Sequence, residues 1–527
     1  MARSKPKSRR TPRRRSSGRA LRRSAPKAAA DAGAQTAAST LPPIDCVVVL
    51  MQENRSLDHL FGRWPGVAGL SQGPFSNRPD PTAAAGPGNA AIGAGQAALF
   101  TVSQGQGPGH SLDDTNVQLF TTKVVPSGTA LKPVNDRGFV ENYKSALASD
   151  GFSDPGVDLS AVMQTFVSGQ LPALTALAEN FLLCDQWYAE VPGPTMPNRL
   201  YIHAGTSVGW ARNDWSVQLK SVTFYEQLQK HKRTWAVYFS DQNEVAQYSR
   251  INTQRANFKN YETSFASDAA AGKLANYNFI IPRFAGSATD GPVTSMHAPQ
   301  DVRPGDQLIA DVYAALRGGP QWARSLYVVT FDEHGGYFDH ADPAAAVNPD
   351  GINSPAPGDK ASFAPKFAFD RLGLRVPTLI ASPYVGKGIV HSSPLQHTSV
   401  LTTVRKLFAI KGSLTKRDAA AASFADLFLT TARTDTPTAL IAPGAKVRLA
   451  FDATRQAPDD FMAEIARGWR QATGNLPFAK PTPMPTTQDE LHQYLKQTVN
   501  AFLDYRARSA RRGVRHKRQA VRRSHAH

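Results

Sequence analysis

Short runs of apolar and β-branched residues recur along the chain, and polar residues bound each run. The most complete run covers 326–331, Leu-Tyr-Val-Val-Thr-Phe. Its unbroken apolar character is typical of a strand that is buried on both faces of a parallel sheet. Similar runs predict further strands at 46–51, 235–239, 278–281 and 378–381.

Stretches with helical spacing of apolar residues separate these strands. Leu174, Leu177 and Phe181 share one face of a predicted helix, and further helices are predicted over 304–316 and 400–408. Strands that alternate with helices favour an α/β fold, because each crossover helix packs on a face of the sheet. We therefore expect a three-layer α/β/α architecture around a doubly wound, mostly parallel sheet.

The last third of the chain predicts helices near 458–472 and 488–505. Thr487 and Glu490 form a capping-box pattern at the start of the second helix. Neither helix carries a recognisable chemical motif. The expected organisation is a disordered basic tail over 1–40, a large domain over 41–435, a helical extension packed on it over 436–505, and a second disordered basic tail over 506–527.

Basic residues concentrate at the two ends of the chain. Residues 1–31 contain 12 Lys/Arg and one acid, and residues 506–527 contain nine Lys/Arg and no acid. The ends together carry a formal +20, so the remainder carries −2 of the total +18. Such tails could contact an anionic membrane or nucleic acid, although solvated ends without a partner are an equal alternative.

Cysteine content and the length of apolar segments bear on disulfide bonding and membrane association. Two cysteines, Cys46 and Cys184, are too few for a disulfide framework and suit core positions. No stretch of about 18 apolar residues is available to span a membrane. Arginine pairs near the N-terminus lack a following apolar segment, so no clear signal peptide is present. This favours a cytoplasmic or peripherally membrane-associated protein but leaves the location open, with secretion as the alternative.

Polar side chains follow two of the predicted strands. Asp332 and Glu333 come directly after one strand, and Glu53 and Asn54 follow another. Because the carboxyl ends of parallel strands meet at one edge of a sheet, these residues are placed where ligands collect. Carboxylate and amide oxygens suit a hard divalent cation, whereas an isolated acidic pair more often caps a helix or turn.

The segment 191–201 contains three prolines and a glycine, which hold the backbone nearly rigid. Pro197 fits the first turn of a helix, so Thr195 is expected at a helix N-terminus. Free N–H groups at such an end favour an oxyanion or phosphate, with a plain helix cap as the alternative. Three histidines also fall on predicted loops: His110, His297 and His397.

Three motifs occur in a recognisable order. They are Glu-Asn-Arg-Ser-x-Asp-His-x-Phe-Gly at 53–62, Gly-Pro-Thr-x-Pro-Asn-Arg at 193–199 and Asp-Glu-His-Gly-Gly-x-x-Asp-His at 332–340. This set resembles the bacterial and plant phosphoesterase family that contains phosphatidylcholine-hydrolysing phospholipases C and a respiratory-burst-inhibiting acid phosphatase. The resemblance runs from about residue 44 to about residue 430. Further matching segments lie at 375–379, 382–384, 397–401 and 414–418.

The resemblance implies an alkaline-phosphatase-like fold and hydrolysis of phosphate esters. It places one or more divalent metal ions at Glu53, Asn54, Asp332 and Glu333, and it makes Thr195 the nucleophile. Metal coordination is one of the few ways to activate a threonine hydroxyl without an adjacent base.

The other predicted site residues follow from the same resemblance. His110 and His297 are assigned to phosphate binding or to protonation of the leaving group. Asn54 is counted as catalytic as well as metal-binding. His397, Asn198 and Arg199 are assigned to substrate binding. A buried, hydrogen-bonded role is expected instead for the two histidines of the third motif, His334 and His340.

The expected substrate is a phosphate ester, and cleavage of a phospholipid in the manner of a phospholipase C is favoured. A broad-specificity acid phosphatase is the first alternative, and a non-catalytic protein that binds anionic surfaces is the second. Leu57 and Leu60 stand where aromatic residues are common in the family, which should change packing more than chemistry. The chain also lacks the long β-rich C-terminal extension of the larger phospholipases C.

Overall fold

The protein is described by a computed structural model over residues 41–101, 107–123, 125, 138–149, 157–355, 366–443, 454, 460–478 and 483–524. The expected N-terminal tail over 1–40 and the last three residues lie outside the described residues. Leu41–His527 clusters as one unit. The domain boundary expected near 435 therefore stays a prediction.

Eight strands of the described chain form one sheet. Its order is β11-β4-β10-β9-β1-β8-β6-β7, and β10 is the antiparallel member beside β9 and β4. Two small sheets pair β2 with β3 and β5 with β12. The strands are β1 (Cys46–Gln52), β2 (Ser76–Asn77), β3 (Ile92–Gly93), β4 (Leu182–Cys184), β5 (Trp187–Tyr188), β6 (Trp235–Phe239), β7 (Phe258–Asn260), β8 (Tyr277–Ile280), β9 (Ser325–Phe331), β10 (Thr378–Ala381), β11 (Ile389–His391) and β12 (Leu395–Gln396).

The register of the two central strands explains how the site forms. β1 and β9 are parallel and fully buried, and their pairing runs from Cys46 opposite Ser325 to Gln52 opposite Phe331. The two strands therefore end side by side. The acidic residues that follow them leave the sheet at the same level.

Helices cover both faces of the sheet, which confirms the three-layer prediction. On one face, the Tyr327 hydroxyl donates to the Ile309 carbonyl of α8 at 3.3 Å. On the other face, the His203 ring of α5 lies 4.5 Å from the Phe279 ring. The helices are α1 (Leu57–Phe61), α2 (Leu112–Phe120), α3 (Phe139–Ser149), α4 (Pro172–Asn180), α5 (Thr195–Ala204), α6 (Phe224–Lys230), α7 (Tyr261–Ala270), α8 (Arg303–Gly318), α9 (Thr398–Leu407), α10 (Lys416–Ala420), α11 (Asp460–Thr473) and α12 (Gln488–Ser524).

The C-terminal helices pack into the same hydrophobic core as the sheet. Trp469 of α11 and Phe502 of α12 are buried there, with ring centroids 5.7 Å apart. The prediction of disorder from residue 506 is wrong over 506–524, because α12 continues to Ser524. The buried first half nucleates the helix, and arginine, alanine and lysine extend it readily. Within the described residues, no helix combines the length and apolar character needed to cross a bilayer.

Candidate active site

Asp332 ties together the two loops that leave β1 and β9. Its backbone N–H donates to the Gln52 carbonyl at 3.1 Å. Its Oδ1 atom accepts from the N–H groups of Asn54, at 3.0 Å, and Glu333, at 2.7 Å. These bonds hold Asn54 in a left-handed conformation with φ of 60°. The predicted ligand residues of the two loops are therefore brought together.

Gly335 allows the two loops to approach each other this closely. Its φ is +67°, and a Cβ atom there would lie 2.2 Å from the Asn54 carbonyl oxygen. Its N–H donates to Glu333 Oε2 at 2.7 Å, which fixes that carboxylate. Any side chain at position 335 would push the ligand loops apart.

Three buried carboxylates meet at this edge of the sheet. In the part of the chain that the structure describes, Glu53 Oε2, Asp332 Oδ2 and Glu333 Oε1 have no hydrogen-bond partner. Burial raises the pKa of Glu53 well above its ordinary value, and Asp332 raises it further. Burial, with Glu333 next, raises the pKa of Asp332 to about 7. The three unpartnered oxygens fit a hard divalent cation, which would offset this repulsion.

A buried arginine offsets part of the negative charge. Arg199 Nη1 lies 3.5 Å from Glu53 Oε1 and donates to the Met51 carbonyl at 3.2 Å. Its Nε donates to Glu244 Oε1 at 2.9 Å. Arg199 is fully buried behind the carboxylates. We therefore assign it to positioning Glu53, in place of the predicted contact with substrate.

Thr195 begins α5 and contacts Asn54. Its Oγ1 donates to Asn54 Oδ1 at 3.4 Å, and its side chain is buried. The next N–H, that of Met196, donates to Asn213 Oδ1 at 2.9 Å. The sequence places Thr195 at a helix N-terminus, and the structure confirms that position.

Two of the predicted histidines lie beside Asn54. His110 Nε2 is 3.3 Å from Asn54 Nδ2, and the rings of His110 and His297 have centroids 5.6 Å apart. Burial lowers the pKa of His110, but Glu333 first and then other groups raise it more, so the net shift is upward. Burial lowers the pKa of His297 well below its ordinary value, and His110 lowers it further.

Two other predicted substrate-binding residues use their polar atoms on the protein itself. Asn198 Nδ2 donates to the carbonyls of Val191, Gly193 and Pro194, and so holds the loop before Thr195. His397 contacts the Asp332 carbonyl through Nε2, at 2.7 Å, and accepts from the Trp187 indole at Nδ1. Both side chains are fully buried. Asn198 therefore fixes the loop before Thr195, and His397 fixes the loop that follows β9.

The histidines of the third motif behave as the sequence predicts. His334 is buried, with Nε2 2.7 Å from Gln118 Oε1. His340 places Nδ1 2.6 Å from Asp58 Oδ2. Both are hydrogen-bonded to other elements, so the predicted hydrogen bonds are present.

A second group of metal-type ligands lies nearby, formed by Asp58, Asp339 and His340. Arg375 already supplies positive charge there, with Nε 2.9 Å from Asp339 Oδ1 and Nη2 3.2 Å from Asp58 Oδ1. The group therefore ties α1 to the loop after β9 and to the segment before β10. Sequence reasoning missed this network, although opposite charges within the matched motifs could have indicated it.

A cavity of about 540 Å³ opens beside the candidate site. It reaches His110, His297 and Pro194, the residue directly before Thr195. Sequence reasoning missed one wall of this cavity, because α11 carries no recognised motif. The side chains that α11 and the loop after α5 bring to the cavity are Arg212, Asn213, Phe461, Glu464 and Arg467.

The match to a known family agrees with this geometry. The Phosphoesterase family matches the chain over residues 44–411, and the protein belongs to that family. It is therefore a hydrolase of phosphate esters. The matched range contains every residue of the predicted site, and α11 lies beyond it.

Several relatives of this chain are named phospholipases C. The chain is similar to non-specific phospholipase C3 of Arabidopsis thaliana, with 34% identity over 422 residues that cover 76% of this chain and 77% of the relative. Non-specific phospholipase C6 of the same plant is 33% identical over 493 residues, covering 88% and 87%. Phospholipase C A of Mycobacterium tuberculosis is 26% identical over 433 residues, covering 72% and 75%.

Two solved structures align with about half of this chain at low TM-score. A phosphonate monoester hydrolase from Silicibacter pomeroyi aligns over 50% of this chain and 73% of its own, with 12% identity and a TM-score of 0.29. A protein of the alkaline phosphatase superfamily from Vibrio parahaemolyticus covers 46% and 61%, with 11% identity and a TM-score of 0.28.

Proposed function

We propose that this hydrolase cleaves phosphodiesters in the manner of a phospholipase C, through a phosphothreonine formed on Thr195. The observation that supports this most is the hydrogen bond from Thr195 Oγ1 to Asn54 Oδ1, beside three buried carboxylates. Asn54, Glu53, Asp332 and Glu333 would hold the metal. When bound there, a divalent cation would lower the pKa of a coordinated hydroxyl and neutralise phosphate charge.

The chain's own residues supply the rest of the reaction. In the first step, Thr195 Oγ bonds to phosphorus as the bond from phosphorus to the leaving oxygen breaks. The hydroxyl proton passes to the leaving alcohol, with His110 and His297 as the relaying groups. In the second step, a water oxygen bonds to phosphorus, the Thr195 ester breaks, and a water proton returns to Oγ. The positive end of the α5 helix dipole favours the negative phosphate throughout.

The relatives support a diester substrate over a monoester. Three relatives that cover at least 72% of this chain are named phospholipases C. Comparing a monoester with a diester separates this proposal from a broad acid phosphatase, because the phosphate of the monoester carries one more negative charge than that of the diester. We expect faster turnover of p-nitrophenyl phosphocholine than of p-nitrophenyl phosphate. The reverse order would favour the acid phosphatase, and absence of turnover with both would favour a binding protein.

Substitution of Thr195 tests the covalent step directly. We expect Thr195→Ala to lower kcat by at least about 10³-fold, because no hydroxyl remains to form the ester. Thr195→Ser keeps the hydroxyl and should retain measurable turnover. Wild-type enzyme quenched in acid during turnover of a ³²P-labelled diester should carry label on the peptide that contains Thr195.

A matched control is available on the same helix N-terminus. Met196→Leu keeps the volume of a buried apolar residue beside the nucleophile and should retain activity. An active Thr195→Ala variant, or label on another residue, would contradict the assignment of the nucleophile.

A further inference from the structure

Helix α11 reaches the active-site cavity although it lies beyond the matched range of 44–411. Phe461, in its first turn, stacks on His297 with ring centroids 4.9 Å apart and planes 11° apart. Phe461 is 6% exposed, so this contact is part of the packed core. The stacking fixes the start of α11 against a side chain of the candidate site.

Two charged residues follow on the same helix. Glu464 and Arg467 are exposed, and both line the cavity that reaches His110 and His297. Glu464 Oε2 accepts a hydrogen bond from Asn213 Nδ2 at 3.2 Å. Neither Glu464 nor Arg467 makes an ion pair of 4.0 Å or less with a described residue. The carboxylate and the guanidinium therefore both remain available in the cavity.

Asn213 connects Glu464 to the nucleophile. The same Asn213 side chain that donates to Glu464 accepts from the N–H of Met196, at 2.9 Å, through Oδ1. Met196 directly follows Thr195 in α5. A single side chain thus separates the Glu464 carboxylate from the first turn of the helix that carries Thr195.

Glu464 and Arg467 give the cavity wall charges of both signs beside the proposed phosphate site. Residues three apart on a helix lie on the same face, and opposite charges at that spacing usually pair. Here no ion pair of 4.0 Å or less joins the two described side chains, and both line a cavity of about 540 Å³. A phosphodiester that carries an ammonium group also has charges of both signs, and a carboxylate is the side chain that attracts the ammonium.

We infer that Glu464 selects substrates by accepting the ammonium of a zwitterionic head group, while the phosphate lies deeper, at Thr195. Helix α11 thereby forms the head-group wall of the site. This inference rests on the proposed function, because it concerns the same cavity. It adds a residue outside the matched family range that determines which diester is preferred.

Two soluble diesters isolate the ammonium group. p-Nitrophenyl phosphocholine carries it, and methyl p-nitrophenyl phosphate has the same scissile bond without it. The preference is measured as kcat/KM for p-nitrophenyl phosphocholine divided by kcat/KM for methyl p-nitrophenyl phosphate. We expect Glu464→Gln to lower this ratio about fivefold, which is the scale of one exposed charge pair. Glu464→Asp keeps the charge and should retain most of the preference. Glu179→Gln, an exposed residue of α4, is the matched control and should leave both rates unchanged.

The outcomes separate this inference from the proposed function. If the wild-type enzyme hydrolyses neither diester, the proposed function fails. If it hydrolyses both and Glu464→Gln leaves their ratio unchanged, the head-group assignment alone is overturned. An equal loss on both substrates would also overturn it, because a merely structural role reduces both rates together.

Discussion

At the scale of single residues, the candidate site is a set of carboxylates that repel one another. Glu53, Asp332 and Glu333 are fully buried, and each keeps one oxygen without a hydrogen-bond partner among the described residues. Arg199 compensates part of their charge from 3.5 Å. Removing one of these charges should therefore have opposite effects with and without a bound cation.

We predict that Asp332→Asn stabilises the metal-free protein and weakens metal binding. The amide preserves the acceptor for Asn54 and Glu333, while its Nδ2 replaces the oxygen that would bind the cation. In the presence of a chelator, the free energy of unfolding should rise by about 1 kcal/mol, because the substitution removes one of three negative charges that are buried together. Metal affinity should fall at least about tenfold, since hard-cation sites depend on their carboxylate count.

Urea unfolding in chelator and metal content after dialysis check the two effects. Glu53→Gln should act in the same direction, and Glu179→Gln should change neither quantity. Stoichiometric metal in both site variants would show that the cation binds elsewhere.

At the scale of elements, one helix caps another. Asp306 of α8 accepts from the N–H groups of Ala173 and Leu174, both at 2.9 Å, in the first turn of α4. The N-cap residue of α4, Leu171, supplies no side-chain cap. Asp306 thus satisfies donors that a cap residue normally satisfies, and it joins two helices on one face of the sheet.

We predict that Asp306→Ala destabilises the protein by about 2 kcal/mol at pH 5, because two buried N–H groups lose their acceptor. Burial raises the pKa of Asp306 to about 7. Between about pH 4 and pH 7 the folded state holds a proton that the unfolded state has released, so the contribution of Asp306 falls as the pH rises. The difference from wild type should therefore shrink toward pH 8.

Urea titrations at pH 5 and pH 8 measure this difference. Asp311→Ala, an exposed residue on the same helix, should have little effect at either pH. A difference that grows with pH would show that Asp306 acts as an ionised cap in the folded protein.

At the scale of the whole molecule, basic residues concentrate at the two ends of the sequence. Helix α12 contacts the rest of the domain as far along as Arg506, whose Nε donates to Asn252 Oδ1 at 2.9 Å. Residues 41–512 retain this contact. A chain of that length lacks 17 Lys/Arg and one acid, so its formal net charge falls from +18 to +2.

We predict that the shortened chain, residues 41–512, hydrolyses a soluble diester at the wild-type rate. On anionic phospholipid vesicles at low salt it should act more slowly, because the basic ends no longer attract it to the surface. The difference should shrink with added salt, since the screening length is about 8 Å at physiological ionic strength. Equal rates on vesicles at low salt would leave the ends with no part in recruitment.

The sequence by itself determined the central strands and the residue types of the site. Unbroken apolar runs predict the strand starts at Cys46 and Trp235 without error, and β10 matches residue for residue. Thr195 was also placed correctly at a helix start, and the pairs Glu53-Asn54 and Asp332-Glu333 at strand ends. These features are local, because hydrophobic pattern, proline position and chain order specify them within a few residues.

Only the tertiary structure decided how distant segments meet. The reversed direction of β10, the pairing of Arg375 with Asp58 and the contact of Phe461 with His297 each join parts of the chain that no local pattern links. The part that helix α11 plays in the cavity was missed for this reason, although the helix itself was predicted near 458–472. Packing brings together residues more than 160 positions apart, such as His297 and Phe461, and so decides which polar groups share one site.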